Sequence, residues 1–163
     1  MSGASADQAQ PLLAPTYYIA RALSPYAELR EAPGGAAQAI GTLLDQQISV
    51  LVMADVGTLD RETLGRVRDF VEKGGLLLRF AGTRLAGGND ELVPVRLRRG
   101  GRNLGGALSW DAPRTLAPFG RETPFAGLPV PADLGVRRQI LAEPDGELTR
   151  KTWASLEDGT PIV

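Results

Sequence analysis

ISVLVMADVGTLDRETLGRVRDFVEKGGLLLRFAG, from Ile48 to Gly82, reads as a strand, a helix and a second strand in succession. Ser49 to Ala54 is a nearly continuous β-branched and aliphatic run, the pattern of a strand covered on both faces in a parallel sheet. Asp60 is placed to cap the following helix, Glu62 adds favourable charge to its first turn, and Leu64, Val67, Phe70 and Val71 form its buried stripe. Gly74 and Gly75 then end the helix, one of them free to take the left-handed conformation, and admit a second core strand from Leu76 to Phe80. Strand, helix and strand over about 30 residues is a right-handed crossover unit. The expected result is a parallel sheet with helices on both faces.

Upstream, Leu12, Leu13, Tyr17, Ile19, Ala20 and Leu23 approximate one helical face, limited by Pro15 and Pro25. Ala27 to Glu31 is a candidate short strand closed by Pro33-Gly34-Gly35, and Ala36 to Gln46 carries Ala36, Ile40, Leu43 and Leu44 at helical spacing. Downstream, Leu92 to Arg99 and Leu104 to Trp110 flank the turn sequence RRGGRNLGG, which predicts a two-stranded antiparallel ribbon. Pro113, Pro118, Pro124, Pro129 and Pro131 forbid a helix or a central strand over the next segment, leaving a long loop pinned by Phe119, Phe125 and Leu128. Gly135 to Leu141 and Lys151 to Leu156 are the last strand candidates, and TWASLEDGTPIV reads as a strand, an Asp158-Gly159 turn and the opening of a return strand.

The 163 residues suffice for one domain that buries about 70% of its unfolded surface without disulfide or metal. Residues 1–10 read as a disordered or expression-derived start, and 11–163 as a single domain. Because the return strand stops at Val163, that domain reads as a slice of a longer chain. With 18 basic and 19 acidic residues, no global field draws the chain to nucleic acid or an anionic membrane. The apolar runs fall far short of the roughly 20 residues a membrane helix needs, so a soluble fragment without direct membrane insertion is expected. No cysteine is present, which removes a disulfide framework and thiol chemistry and leaves the compartment open.

The blocks VLVMADVGTLDRETLGRVRDFVEKGGLLLRFAGTRL and, more narrowly, DELVPVRLRRGGRNLGGALSW, LAPF, PFAGLPVP, RQILAEP and TWASLEDGTP carry a family resemblance. The first resembles the core of class I glutamine amidotransferase-like domains. Together they resemble the C-terminal domain, of unknown function, in bacterial multi-domain membrane proteins whose N-terminal region is of the BatA aerotolerance type. The resemblance spans the chain from about Pro11. It implies a three-layer α/β fold of the flavodoxin-like or amidotransferase-like kind, with a mostly parallel sheet, helices on both faces and an added antiparallel ribbon. It also implies a membrane-anchored bacterial parent, with this domain on the periplasmic or the cytoplasmic side of the inner membrane. Aligned on Gly82, the family's catalytic cysteine position falls on Phe80, with Ala81 beside it. Covalent glutaminase chemistry needs a thiolate and a base, and the chain contains neither cysteine nor histidine.

Ligands of open parallel sheets bind outside the carboxyl ends of the strands. Asp55 and Arg79 fall there, with Gly57, Gly82 and Thr83 leaving room for a ligand to reach backbone groups. Two readings compete: an internal Asp55 to Arg79 ion pair that positions two loops, or an anion or carboxylate pocket using Arg79; a hydrolase or small-molecule-processing enzyme would reuse the same crevice with Asp55 as base or metal ligand. Arg96, Arg98, Arg99 and Arg102 make the ribbon locally basic, either as a solvated edge or as a grip for an acidic or phosphate-bearing partner. Neither a G-x-G-x-x-G nor a P-loop sequence is present, so no cofactor is expected. Asn89, Asp90 and Glu91 read as a turn rather than a cation site, and Ser24, Ser109 and Ser155 lack any activating base. Trp110 and Trp153 are expected in strands, filling the core or an interface. The expected function is a non-catalytic interaction or ligand-sensing module. Its partners would be proteins or other domains of the parent chain rather than nucleic acid.

Overall fold

The computed structural model describes residues 14–88, 91–98 and 107–163, which fall into two compact units, Met1–Leu92 and Val93–Val163. In the first unit, helices α1 (Pro15–Leu23) and α2 (Ala36–Asp45) precede strand β1 (Val50–Ala54), helix α3 (Arg61–Glu72), strand β2 (Leu76–Phe80) and the short helix α4 (Thr83–Gly87). Asp60 is the N-cap of α3: its Oδ1 accepts from Thr63 N at 2.9 Å and its Oδ2 from Thr63 Oγ1 at 2.7 Å. These bonds, the backbone one foremost, hold the Asp60 carboxyl below its ordinary value of 3.8. Gly74, at φ +96°, supplies the left-handed residue that ends α3, with its N–H donating to Val71 O.

β1 and β2 pair in parallel, Val50 opposite Leu76 through Ala54 opposite Phe80. Helices α2 and α3 lie together on one face of this pair. Ile40 and Leu43 from α2, Val67 from α3, Leu51 and Met53 from β1, and Val56 and Leu59 beyond β1 form the buried core; Leu77, Leu64 and Phe70 pack against it. Full burial of such a side chain contributes about 1.5–3 kcal/mol relative to exposure, so this cluster supplies much of the unit's stability. Arg66 ties the two helices at the surface, its Nη2 donating to Asp45 Oδ1 at 2.6 Å and to Gly41 O at 3.3 Å.

The other face of the pair is partly open, although Ala54 on it is buried. Val50, Leu76, Leu78 and Phe80 alternate onto it with 43%, 53%, 38% and 49% of their surface exposed. This overturns the expected three-layer flavodoxin-like or amidotransferase-like architecture. Among the described residues there are two two-stranded sheets, one parallel and one antiparallel, and five helices. A single crossover helix covers one side of a sheet, α2 joins it on that side, and no third parallel strand carries a helix to the other. Ala27 to Glu31, expected as a strand, has no regular structure; Arg30 there donates through Nη1 to Gln46 O at 3.0 Å.

In the second unit, β3 (Ala107–Arg114) pairs antiparallel with β4 (Val136–Ile140), Ala107 opposite Ile140 and Ser109 opposite Arg138, with a register shift before Arg114. Pro113 sits in that irregular stretch, where a missing N–H donor breaks no ladder bond. The expected ribbon between Leu92 to Arg99 and Leu104 to Trp110 is not the observed pairing. Leu97 bridges Ala142, with Arg98 N donating to Leu141 O and Glu143 N to Arg96 O, both at 2.7 Å. The predicted turn itself lies outside the described residues.

From 115 onward, backbone bonds and local turns organise the chain. Leu116 bridges Leu156, and Ser155 bridges Pro161 across the Asp158-Gly159 turn, which matches the predicted C-terminal hairpin. Gly159 takes φ +83°, and the Asp158 carboxyl is held below 3.8 by hydrogen bonds first from the Thr160 side chain and then from its backbone, with Arg114 adding charge. Phe119 and Phe125 stack tilted at 5.4 Å, and Thr123, Ala126 and Leu128 close successive turns of the proline-rich loop. A short helix α5 (Leu148–Lys151) precedes the hairpin. Among the described residues no helix is long and apolar enough to cross a membrane.

Candidate functional site

All five crevice residues gather at the carboxyl end of the β1–β2 pair, because parallel strands of matched register end together. Asp55 directly follows β1, and its N–H extends the ladder by donating to Phe80 O at 2.9 Å. Its backbone takes φ +49°, a left-handed conformation that aspartate tolerates better than most residues. This turn swings the half-buried side chain toward the start of α4. There Asp55 Oδ1 accepts from both Arg84 N and Leu85 N, each at 3.0 Å.

These are two of the backbone donors that the first turn of a helix leaves without intrahelical partners. The N-cap residue of α4 is Gly82, which has no side chain to satisfy them. Asp55 does so from a distant point in the chain, and the glycine is what admits it: a Cβ at Gly82 would lie 2.5 Å from each Asp55 carboxylate oxygen. The loops after the two strands are also close to one another. A Cβ at Gly57 would stand 3.3 Å from Arg84 O, and one at Gly88 2.7 Å from Thr58 Oγ1.

Arg79 lies on the helix-covered side of β2, in register with Met53, and its Nη2 donates to Val56 O at 2.9 Å. Among the ion pairs of the described residues, none joins Asp55 to Arg79. Each residue instead fixes a backbone segment, Asp55 the start of α4 and Arg79 the loop beyond β1. Thr83 is exposed at the first helical position. Chemically the arrangement is a junction between two loops, with one carboxylate oxygen accepting from two N–H donors. The donors were invisible from the sequence, because backbone N–H groups carry no residue signature.

Arg96 and Arg98 are exposed, while Arg99 and Arg102 lie outside the described residues. Sequence reasoning missed Arg137 and Arg138, which the observed register places on the strand beside Arg96 and Arg98. Asn89 and Asp90 lie outside the described residues, and Glu91 is ion-paired with Arg68. Ser109 and Ser155 sit in backbone-paired positions, Trp110 is half-buried within β3, and Trp153 is exposed beside the C-terminal hairpin.

No protein-family model, no curated protein and no solved structure matches the chain.

Proposed function

We propose that this chain is a non-catalytic interaction module belonging to a membrane-anchored bacterial parent of the kind its sequence blocks resemble. In such a parent it would sit on one side of the inner membrane and bind a protein or another domain. One observation supports the non-catalytic part above others: Asp55, the acid that directly follows β1, is held through Oδ1 by Arg84 N and Leu85 N. A general base needs a lone pair directed at a substrate proton within hydrogen-bonding reach. Asp55 Oδ1 is directed at its own protein's backbone. That bond pair favours the interaction reading over the hydrolase reading of the crevice.

The test is a panel of chromogenic ester, phosphate and glycoside substrates, assayed with the natural sequence and with Asp55→Asn. Equal turnover, at the uncatalysed background, is the expected result. Hydrolysis that disappears in Asp55→Asn would overturn the proposal.

A further inference from the structure

Four arginines separated by about 40 residues of sequence meet on one strand system of the second unit. Leu97 pairs with Ala142, so Arg96 and Arg98 flank the continuation of the strand that carries Arg137 and Arg138 in β4. All four are exposed, and none makes an ion pair or side-chain hydrogen bond among the described residues. Glu143 lies opposite Arg96 in register, yet it forms no ion pair with it. Arg114, at the end of β3, reaches Asp158 only at 4.0 Å.

Resting on the interaction-module reading above, we infer that the face shared by Arg96, Arg98 and Arg137 binds an acidic peptide segment in extended conformation. Residues two apart on a strand recur about every 6.6 Å, so Arg96 and Arg98 match the repeat of alternate side chains on an extended partner. Arg137 lies on the same face and prolongs the array by roughly 13 Å of strand rise, whereas the adjacent Arg138 projects to the opposite face. Guanidinium groups pair with carboxylates through two parallel N–H donors, a geometry that lysine could not provide. A nucleic acid fits less well. Single strands are held by exposed aromatic platforms within a broad positive field, whereas Trp110 on this sheet is half-buried and the chain carries a formal charge of -1.

The test is fluorescence anisotropy of a labelled deca-glutamate peptide and of a labelled ten-nucleotide thymidine strand, titrated with the protein at low and near-physiological salt. The double variant Arg96→Ser with Arg98→Ser and the single variants Arg137→Ser and Arg138→Ser are titrated in parallel, and circular dichroism verifies their fold. The inference predicts saturable binding of the peptide, weakened by salt, with the double variant losing about five- to ten-fold, the scale of two partly exposed ion pairs, Arg137→Ser about two- to three-fold, and Arg138→Ser binding as the natural sequence does. Absence of peptide binding, equal binding of the thymidine strand, or unchanged affinity in both the folded Arg96→Ser with Arg98→Ser variant and Arg137→Ser would overturn it. None of those results bears on the substrate panel, so failure here leaves the non-catalytic reading separately testable.

Discussion

The first unit contains the shared core of Ile40, Leu43, Leu51, Met53, Val56, Leu59 and Val67, whereas in the second only Ala154 and Leu156 are buried among the described residues. The two are similar in chemistry of backbone pairing and differ in how side chains are used. In the first, apolar residues recur at helical and strand periods, so helix faces and a strand face meet and exclude water. In the second, glycines and prolines fix turns, and strand pairs and bridges between distant segments do the rest. Packing thus governs one unit and local backbone geometry the other.

That contrast can be broken or sharpened by substitution. Ile40→Ala removes a fully buried side chain where α2 meets the core, and should lower the unfolding free energy by about 2–5 kcal/mol in urea. Asp55→Ala leaves Arg84 N and Leu85 N without their acceptor and should cost about 1–3 kcal/mol, while Asp55→Asn, which keeps an oxygen in place, should cost much less. Leu128→Ala, in the turn-built loop, should stay within about 0.5 kcal/mol, since Leu128 is 58% exposed.

A pH series separates the helix cap from the core. The folded Asp60 carboxyl titrates below its ordinary value of 3.8, so its ionised form stabilises the fold above that value, and the contribution disappears as pH falls through the lowered folded value. Asp60→Asn keeps a capping oxygen without the charge. The difference in urea midpoint between the two proteins should be constant near neutrality and shrink toward zero in acid. A difference that persists unchanged at low pH would show that the charge contributes nothing.

The crossover unit was legible because each of its signals has one physical meaning: Asp60 before a 3.6-residue stripe, Gly74-Gly75 after it, and aliphatic runs on either side. Its surroundings were not. Val50 to Ala54 has the same composition whether one face or both are covered, so the open face could not be read from the run. The RRGGRNLGG turn suggested that neighbouring strands pair with each other, yet Leu97 takes Ala142 as partner, and nothing in local sequence selects a partner at that distance. For the site, polarity at a strand end correctly drew attention to Asp55 and Arg79. Asp55 Oδ1 and Arg79 Nη2 both meet backbone atoms, which the sequence does not mark.

The most direct test of the one-sided sheet is urea unfolding of Leu77→Lys beside Leu78→Lys. These adjacent residues project to opposite faces of β2: Leu77 packs against the core and Leu78 is 38% exposed. The account predicts that Leu77→Lys loses more than about 3 kcal/mol, because a charge enters the packed face, while Leu78→Lys changes stability by less than about 1 kcal/mol. Equal, large losses in both variants would mean that the second face is covered as well, and would contradict the architecture described.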